Sequence, residues 1–403
     1  MTLINPLPGS DLSETPFAGR IVHPQGEGII YGPGCAQSNL AALLRKAGVR
    51  RPMLVTTSSL VRCGLADEVT SWLEPMADGP VTVFSGSKEH TPSPVVIEAA
   101  DIAQANGVDG FVSLGGSSVV DLTKGIAMVL AEGQALDRLY LRLEPGATGQ
   151  RPVLAAPKLP HLALPTTLSG AEFTGAAGIT DPPTGEKRIY IDAKLTPQWV
   201  LLDPQLTRAT PPLLWASTGM KVVSDAIEVF CSPRCNPLAE AAAGGALRLL
   251  IDSLEPATAD PDDVDARTRC LFAVGMTLPQ LTTVGLGLVA ALRHQIGGGA
   301  GVPHGIASTI VLPHVMQWNR SAAEASLDRA ALAAGLDRTG GLIERIGSMT
   351  RKLGLPTRLR DVGVLQDSFE SIAAHVLDDP ARRTNPRLVA TVQDVIEVLE
   401  AAW

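Results

Sequence analysis

Phe111-Val-Ser-Leu-Gly-Gly-Ser-Ser-Val-Val-Asp-Leu-Thr-Lys-Gly-Ile-Ala127 is the stretch on which the fold turns. Four residues of strand character, Phe111 to Leu114, lead into Gly115, Gly116, Ser117 and Ser118, and from Val119 the apolar spacing is helical. Glycines let a backbone approach a pyrophosphate closely, and a helix start offers N–H groups and a positive dipole end to its oxygens. The loop is not a GxGxxG, so it is no ordinary Rossmann fingerprint, and a tight βα turn without a ligand is the other reading of the same residues. A second polar turn follows a strand at Ala163-Leu-Pro-Thr-Thr-Leu-Ser-Gly-Ala-Glu172. Its Thr166, Thr167 and Ser169 hydroxyls and its glycine suit cofactor phosphates, the nicotinamide end, or plain turn formation.

Outward from these loops, strand candidates at Gly28–Tyr31, Pro52–Thr56, Val81–Phe84, Gly110–Leu114 and His161–Leu164 alternate with helix candidates. The helices are Ala36–Ala47, Leu60–Met76, Ser93–Asn106 and Val119–Glu132. That alternation predicts β-α-β units around a largely parallel sheet, where ligands bind at the carboxyl ends of strands. Beyond Thr180 a short strand pair is expected around Ile189–Ile191 and Val200–Asp203. Long Ala- and Leu-rich segments follow, with helix candidates at Pro212–Phe230, Pro237–Ser253, Asp262–Leu281, Gly287–Gln295, Ile306–Trp318, Ser321–Ala334, Gly341–Leu353, Asp367–His375 and Gln393–Ala402. The expected division is an α/β dinucleotide-binding domain over residues 1–190 and a helical catalytic domain over 191–403.

A net charge of −8, with basic residues scattered among acids, provides no electrostatic footprint for nucleic acid or an anionic membrane, so a small-molecule partner is expected. Five cysteines, an odd and sparse set, fit a reducing cytoplasm better than a disulfide scaffold. Cys231 and Cys235 are separated by Ser-Pro-Arg, and no second cysteine pair completes a zinc set. The N-terminal MTLINPLPGSDLSETPF has neither a basic start nor an apolar core, so it does not read as a secretory signal. Apolar runs elsewhere are too short or interrupted to span a bilayer.

The Gly115–Ser118 and Pro165-Thr-Thr segments, taken with Leu201-Leu-Asp-Pro-Gln-Leu-Thr207, Thr218-Gly-Met220, Asp225-Ala-Ile-Glu228, Gly285-Leu-Gly287, His294-Gln-Ile-Gly-Gly298, Pro303-His-Gly305, Leu312-Pro-His314 and Asn385-Pro-Arg387, resemble the iron-containing alcohol dehydrogenase superfamily in the family's own order. Pro165-Thr-Thr-Leu-Ser-Gly-Ala-Glu172 and Glu89-His-Thr-Pro92 are most similar to the maleylacetate reductase branch. The resemblance implies the dehydroquinate synthase-like fold: an N-terminal α/β dinucleotide domain, an all-α C-terminal domain, and substrate in the cleft between them. It also implies a homodimer, NADH or NADPH as cofactor, and a cofactor site lined by Gly115, Gly116, Ser117, Ser118, Asp121, Lys124, Thr166, Thr167 and Ser169. Ser117 stands where the family has a third glycine.

Metal-dependent relatives carry an Asp and a His four residues apart, a further His on a later helix and another in Pro-His-Gly; here those places hold Lys221, Asp225, Ala290 and His304. Only one expected ligand type survives, and Lys221 brings an ammonium to the cation's place, so no metal is expected. Lys221 is the candidate to replace the ion's charge, oriented by Asp225, with His294 or His304 relaying a proton. An ordinary surface ion pair is the bland alternative for Lys221 and Asp225. Arg293 either binds a substrate carboxylate or faces outward from its helix. His23, His161, His314 and His375 read as structural or surface residues. Two functions compete. One is a metal-independent reductase of the carbonyl or activated C=C of a small, anionic oxo acid or related ketone. The other is a non-redox lyase, cyclase or nucleotide-binding protein, with Lys221 as base or imine former.

Overall fold

The computed structural model describes residues 26–133, 136–141 and 152–403. His23 and the N-terminal stretch weighed as a signal lie outside them. The chain forms two compact units, and among the described residues the α/β unit runs from Gly26 to Thr210. Its described elements are β1 (Gly28–Tyr31), α1 (Cys35–Lys46), β2 (Pro52–Val55), α2 (Ser58–Arg62), α3 (Leu65–Leu73), β3 (Thr82–Phe84), α4 (Ser93–Ala105), β4 (Gly110–Gly115), α5 (Ser117–Glu132), β5 (His161–Pro165), β6 (Ala176–Asp181), β7 (Glu186–Ile191) and β8 (Trp199–Leu202).

Six strands make one parallel sheet in the order β1-β8-β5-β4-β2-β3. Strand periodicity sorts its side chains between two cores. Met53, Val55 and Phe111 face a core with α4, α5, Ile179 and Tyr190. Leu54, Val112, Leu114, Leu162, Leu164 and Leu201 face the other, with Leu40, Leu44 and Val69. Strands covered on both faces explain why β2, β4 and β5 read as continuous apolar runs rather than alternating ones. The chain's progress across the sheet reverses between β2 and β4, and in open α/β sheets ligands bind at the carboxyl ends of the strands beside such a reversal.

Several expectations are corrected. Ile189–Ile191 does not pair with the strand at Val200: β7 forms an antiparallel hairpin with β6, and β8 slots between β1 and β5. Because β8 belongs to the sheet, the α/β unit extends to Thr210 rather than stopping near residue 190. The expected helix over Leu60–Met76 is broken at Gly64, whose φ of 82° is a left-handed conformation favouring glycine.

The helical unit, Pro211–Trp403 among the described residues, contains α6 (Pro212–Cys231), α7 (Pro237–Ala259), α8 (Val264–Val284), α9 (Leu288–Ala300), α10 (His304–Ala333), α11 (Thr339–Lys352), α12 (Phe369–Asp378) and α13 (Val392–Ala402). α10 bends at Ala323, where φ is −135°. Helix α6 is buried almost all round from Trp215 to Cys231, as a central helix must be, and α7, α8, α9 and α10 pack against it. Any ionisable group on α6 therefore needs a partner or pays heavily in desolvation. No single helix among the described residues is long and apolar enough to cross a membrane, and all five cysteines are free thiols.

Asp203, just after β8, ties the carboxyl end of that strand to α1. Its carboxylate accepts the N–H groups of Gly34 (3.1 Å), Ala36 (3.0 Å) and Gln205 (3.1 Å) in a buried setting. Asp203→Ala strands those donors and should lower stability by about 3 kcal/mol in urea unfolding; a change below about 0.5 kcal/mol contradicts this role.

Candidate active site

In the α/β unit, Gly115 ends β4 at a φ of 152°, and a Cβ there would lie 2.5 Å from Val119 Cγ2. Gly116 N-caps α5 without any side-chain cap of its own, and a Cβ on it would meet Thr167 Oγ1 at 2.9 Å. Both positions therefore require glycine, and the backbone is left bare where the strand becomes a helix.

The second loop is stitched to the first. Thr166 N–H donates to Gly115 O (3.1 Å), Ser117 N–H donates to Ser169 Oγ (3.1 Å), and Ser169 Oγ shares a hydrogen bond with Thr167 Oγ1 (2.7 Å). Gly115, Gly116, Ser117, Thr166, Thr167 and Ser169 are thus brought together at the carboxyl ends of β4 and β5. Ser118 adjoins them, its carbonyl accepting Thr91 Oγ1 at 3.3 Å. Thr91 and His90 are consecutive non-glycine residues in the left-handed region, with φ of 49° and 61°. Such strain, of order 1–3 kcal/mol per residue, tends to collect at functional sites. Thr180 secures both, its Oγ1 donating to His90 O and its N–H to Thr91 O.

Asp121 and Lys124 turn away from this group. Asp121 accepts Gly178 N–H at 3.1 Å, and burial pushes its carboxyl up despite nearby Lys124. Lys124 Nζ donates at 2.7 Å to each of the carbonyls of Ala171, Thr174 and Ala176, so all three of its protons are spent. Burial also lowers its pKa to about 8. These residues, read from the sequence as lining the cofactor, brace β6 and the turn before it against α5. His161 is a buried partner of Ser113, and burial pulls its pKa down to about 3, leaving a neutral structural ring.

In the helical unit the centre is Asp225, fully buried on α6. Lys221 Nζ, one turn earlier, lies 2.8 Å from Oδ2, and Arg293 Nη1 of α9 lies 2.6 Å from Oδ1. Burial alone would push the Asp225 carboxyl up, but the charges of Arg293 and Lys221 outweigh it and hold the group below its ordinary value. The outward-facing reading of Arg293 is corrected: it is only 4% exposed and engages a protein carboxylate. Lys221 is no surface pair either, since its side chain is 14% exposed and its partner 0%.

Glu228, one turn beyond Asp225, caps α9 by accepting the N–H groups of Val289 (2.7 Å) and Ala290 (3.3 Å). Ala290, in the place of an expected ligand, contributes only this backbone group. His294, one turn further along α9, points Nδ1 at Asp379 Oδ2 (2.9 Å), and its ring centroid is 5.7 Å from that of His304. Sequence reasoning missed Asp379, Glu228 and Thr91 as site residues. Glu228 and Thr91 stood inside quoted motifs, whereas nothing local links Asp379 to His294.

Residues 26–204 match the family described as iron-containing alcohol dehydrogenase, and residues 215–403 match its C-terminal part. The NAD-dependent methanol dehydrogenase of Bacillus methanolicus is 30% identical, over 93% of this chain and 97% of that protein. Maleylacetate reductase 2 of Cupriavidus pinatubonensis is also 30% identical, over 93% and 94%. Equal identity to both leaves the branch to individual residues. The structure of a 1,3-propanediol oxidoreductase superposes with a TM-score of 0.88 at 27% identity, covering 96% of this chain and all of that one.

Burial pushes the Glu228 carboxyl up from its ordinary 4.5 to about 7, with Arg293 opposing and Asp225 adding to the rise. Between those values the folded protein keeps a proton that the unfolded chain has lost, so this group's contribution to stability falls as pH rises from about 4.5 to 7. Glu228→Gln should flatten that fall in urea midpoints taken across this range; identical slopes in variant and parent contradict the assignment.

Proposed function

The chain belongs to the iron-containing alcohol dehydrogenase family, and from that premise we propose a nicotinamide-dependent reductase of a small oxo acid or related ketone that works without a metal ion. The observation that carries the reading is the doubly paired carboxylate of Asp225. A divalent ion needs several deprotonated oxygen or nitrogen donors. In this place both Asp225 oxygens face cations, position 290 is alanine, and Lys221 adds positive charge. The remaining imidazoles of His294 and His304 do not make a fitting set.

Lys221 takes the ion's electrostatic part. Two cations on one carboxylate leave one net positive charge, and a fixed ammonium stabilises negative charge growing on a carbonyl oxygen. That same charge favours an anionic substrate, in keeping with the oxo acid named for the maleylacetate reductase relative. His294 donates the proton that completes the alcohol, through the ring nitrogen not engaged by Asp379.

The bare backbone of Gly115 and Gly116 and the hydroxyls of Thr167 and Ser169 fit a dinucleotide's phosphates, and the NAD dependence of the methanol dehydrogenase relative supports that fit. When bound, the nicotinamide supplies the hydride to the carbonyl carbon. Imine formation by Lys221 is disfavoured, because an ion-paired ammonium has no lone pair to attack with.

Titration with NADH and NADPH by fluorescence, followed by absorbance loss with a panel of oxo acids and ketones, tests the reading. Lys221→Met should lower kcat at least about 100-fold while leaving dinucleotide affinity within about twofold; retained turnover contradicts it.

A further inference from the structure

Asp379 lies between α12 and the 3-10 turn Pro380–Thr384, far along the chain from the helices that carry the other site residues. Its side chain is 7% exposed, and its two oxygens have fixed duties. Oδ1 accepts Ala381 N–H at 2.8 Å. Oδ2 accepts Gln295 Nε2 at 3.2 Å and faces His294 Nδ1 at 2.9 Å. Burial would push this carboxyl up, but the contact with His294, the Ala381 N–H and Gln295 outweigh it and keep the group below its ordinary value. An ionised carboxylate only accepts hydrogen bonds, so the proton shared with His294 must sit on Nδ1. The imidazole is left 36% exposed, its Nε2 turned from Asp379 and its ring beside that of His304.

We propose that Asp379 is a positioning residue for the reduction: it fixes His294 in the Nδ1–H tautomer and aims Nε2 at the reacting oxygen. The inference rests on the reading of His294 as the proton donor. In the step it serves, the imidazolium carries protons on both nitrogens. The Nε2–H bond breaks as an O–H bond forms on the alkoxide left by hydride addition, and the neutral Nδ1–H tautomer remains. Solvent then returns a proton to Nε2. A histidine free to hold its proton on Nε2 in the neutral state would present Nδ1 to Asp379 as an acceptor facing an acceptor, so this carboxylate selects one tautomer and one ring orientation.

Asp379→Asn is the telling variant, because it is isosteric. Ala381 N–H keeps the amide oxygen on its side, which turns the amide NH2 toward His294 Nδ1 and reverses the hydrogen bond. With 15N-labelled histidine, and His294→Asn to assign the signal, the full-length protein should show a protonated Nδ1 and a bare Nε2 in the neutral ring. Asp379→Asn should show the opposite pattern. Its kcat should fall about 100-fold or more, with KM and dinucleotide affinity little changed. Asp379→Glu should restore the parental 15N pattern and part of the rate. An unchanged tautomer in Asp379→Asn overturns the proposal. A reversed tautomer with undiminished kcat overturns it as well, and in that case it is the proton-donor reading of His294 that has failed.

Discussion

A carboxylate buried in the middle of a helical bundle constrains everything around it. Moving an ionised Asp into a low-dielectric interior costs several kcal/mol, and only close, well-aligned cations recover it. Asp225 has two, one a turn earlier on its own helix and one on α9. Removing either leaves Asp225 a single cation to offset its desolvation, and only the loss of both leaves an uncompensated charge, which costs about 3–5 kcal/mol for buried pairs in general. The arrangement therefore ties α6 to α9 electrostatically, at the place where metal-dependent relatives of this family gather ligands. Glu228 adds a second tie, capping α9 from the next turn of α6. The helix bearing His294 is thus held from two sides before the histidine's own partner, Asp379, is counted.

The α/β unit solves a different problem. Its glycine loop needs backbone without side chains, and the contacts that would greet a Cβ on Gly115 or Gly116 show how tightly the neighbouring groups close in. Ser169 Oγ accepts the Ser117 N–H, so a neutral hydroxyl satisfies one of the open donors at the start of α5. Behind the loop, Asp121 and Lys124 lock α5 to β6 with buried hydrogen bonds, so the glycine turn rests on a rigid support. Strain at His90 and Thr91 sits at the same end of α5 and is held by Thr180.

How much of this was legible depended on whether the signal was local. Parallel strands buried on both faces write unbroken apolar runs, and β2, β4 and β5 are visible for that reason. The β6–β7 hairpin was misread because Glu186-Lys-Arg-Ile-Tyr-Ile191 carries little apolar pattern, and because β8 finds its partners far away in sequence, in β1 and β5. Motif spacing brought Lys221, Asp225, His294 and the two glycine loops to attention. It did not show where a side chain on a named helix would point: Lys124 turned to carbonyls and Arg293 to Asp225. Asp379 left no local trace, because its bond to His294 spans 85 residues and depends on tertiary packing alone.

We propose one substitution of charge: the Lys221 ammonium stands at the place that the family resemblance gives to an ion. The most direct measurement is turnover of an oxo acid by protein stripped with a chelator and checked by elemental analysis, then supplied separately with ferrous, zinc and magnesium ions. The account predicts the same rate before and after each addition. A rate that appears only when one of these ions is restored would contradict it.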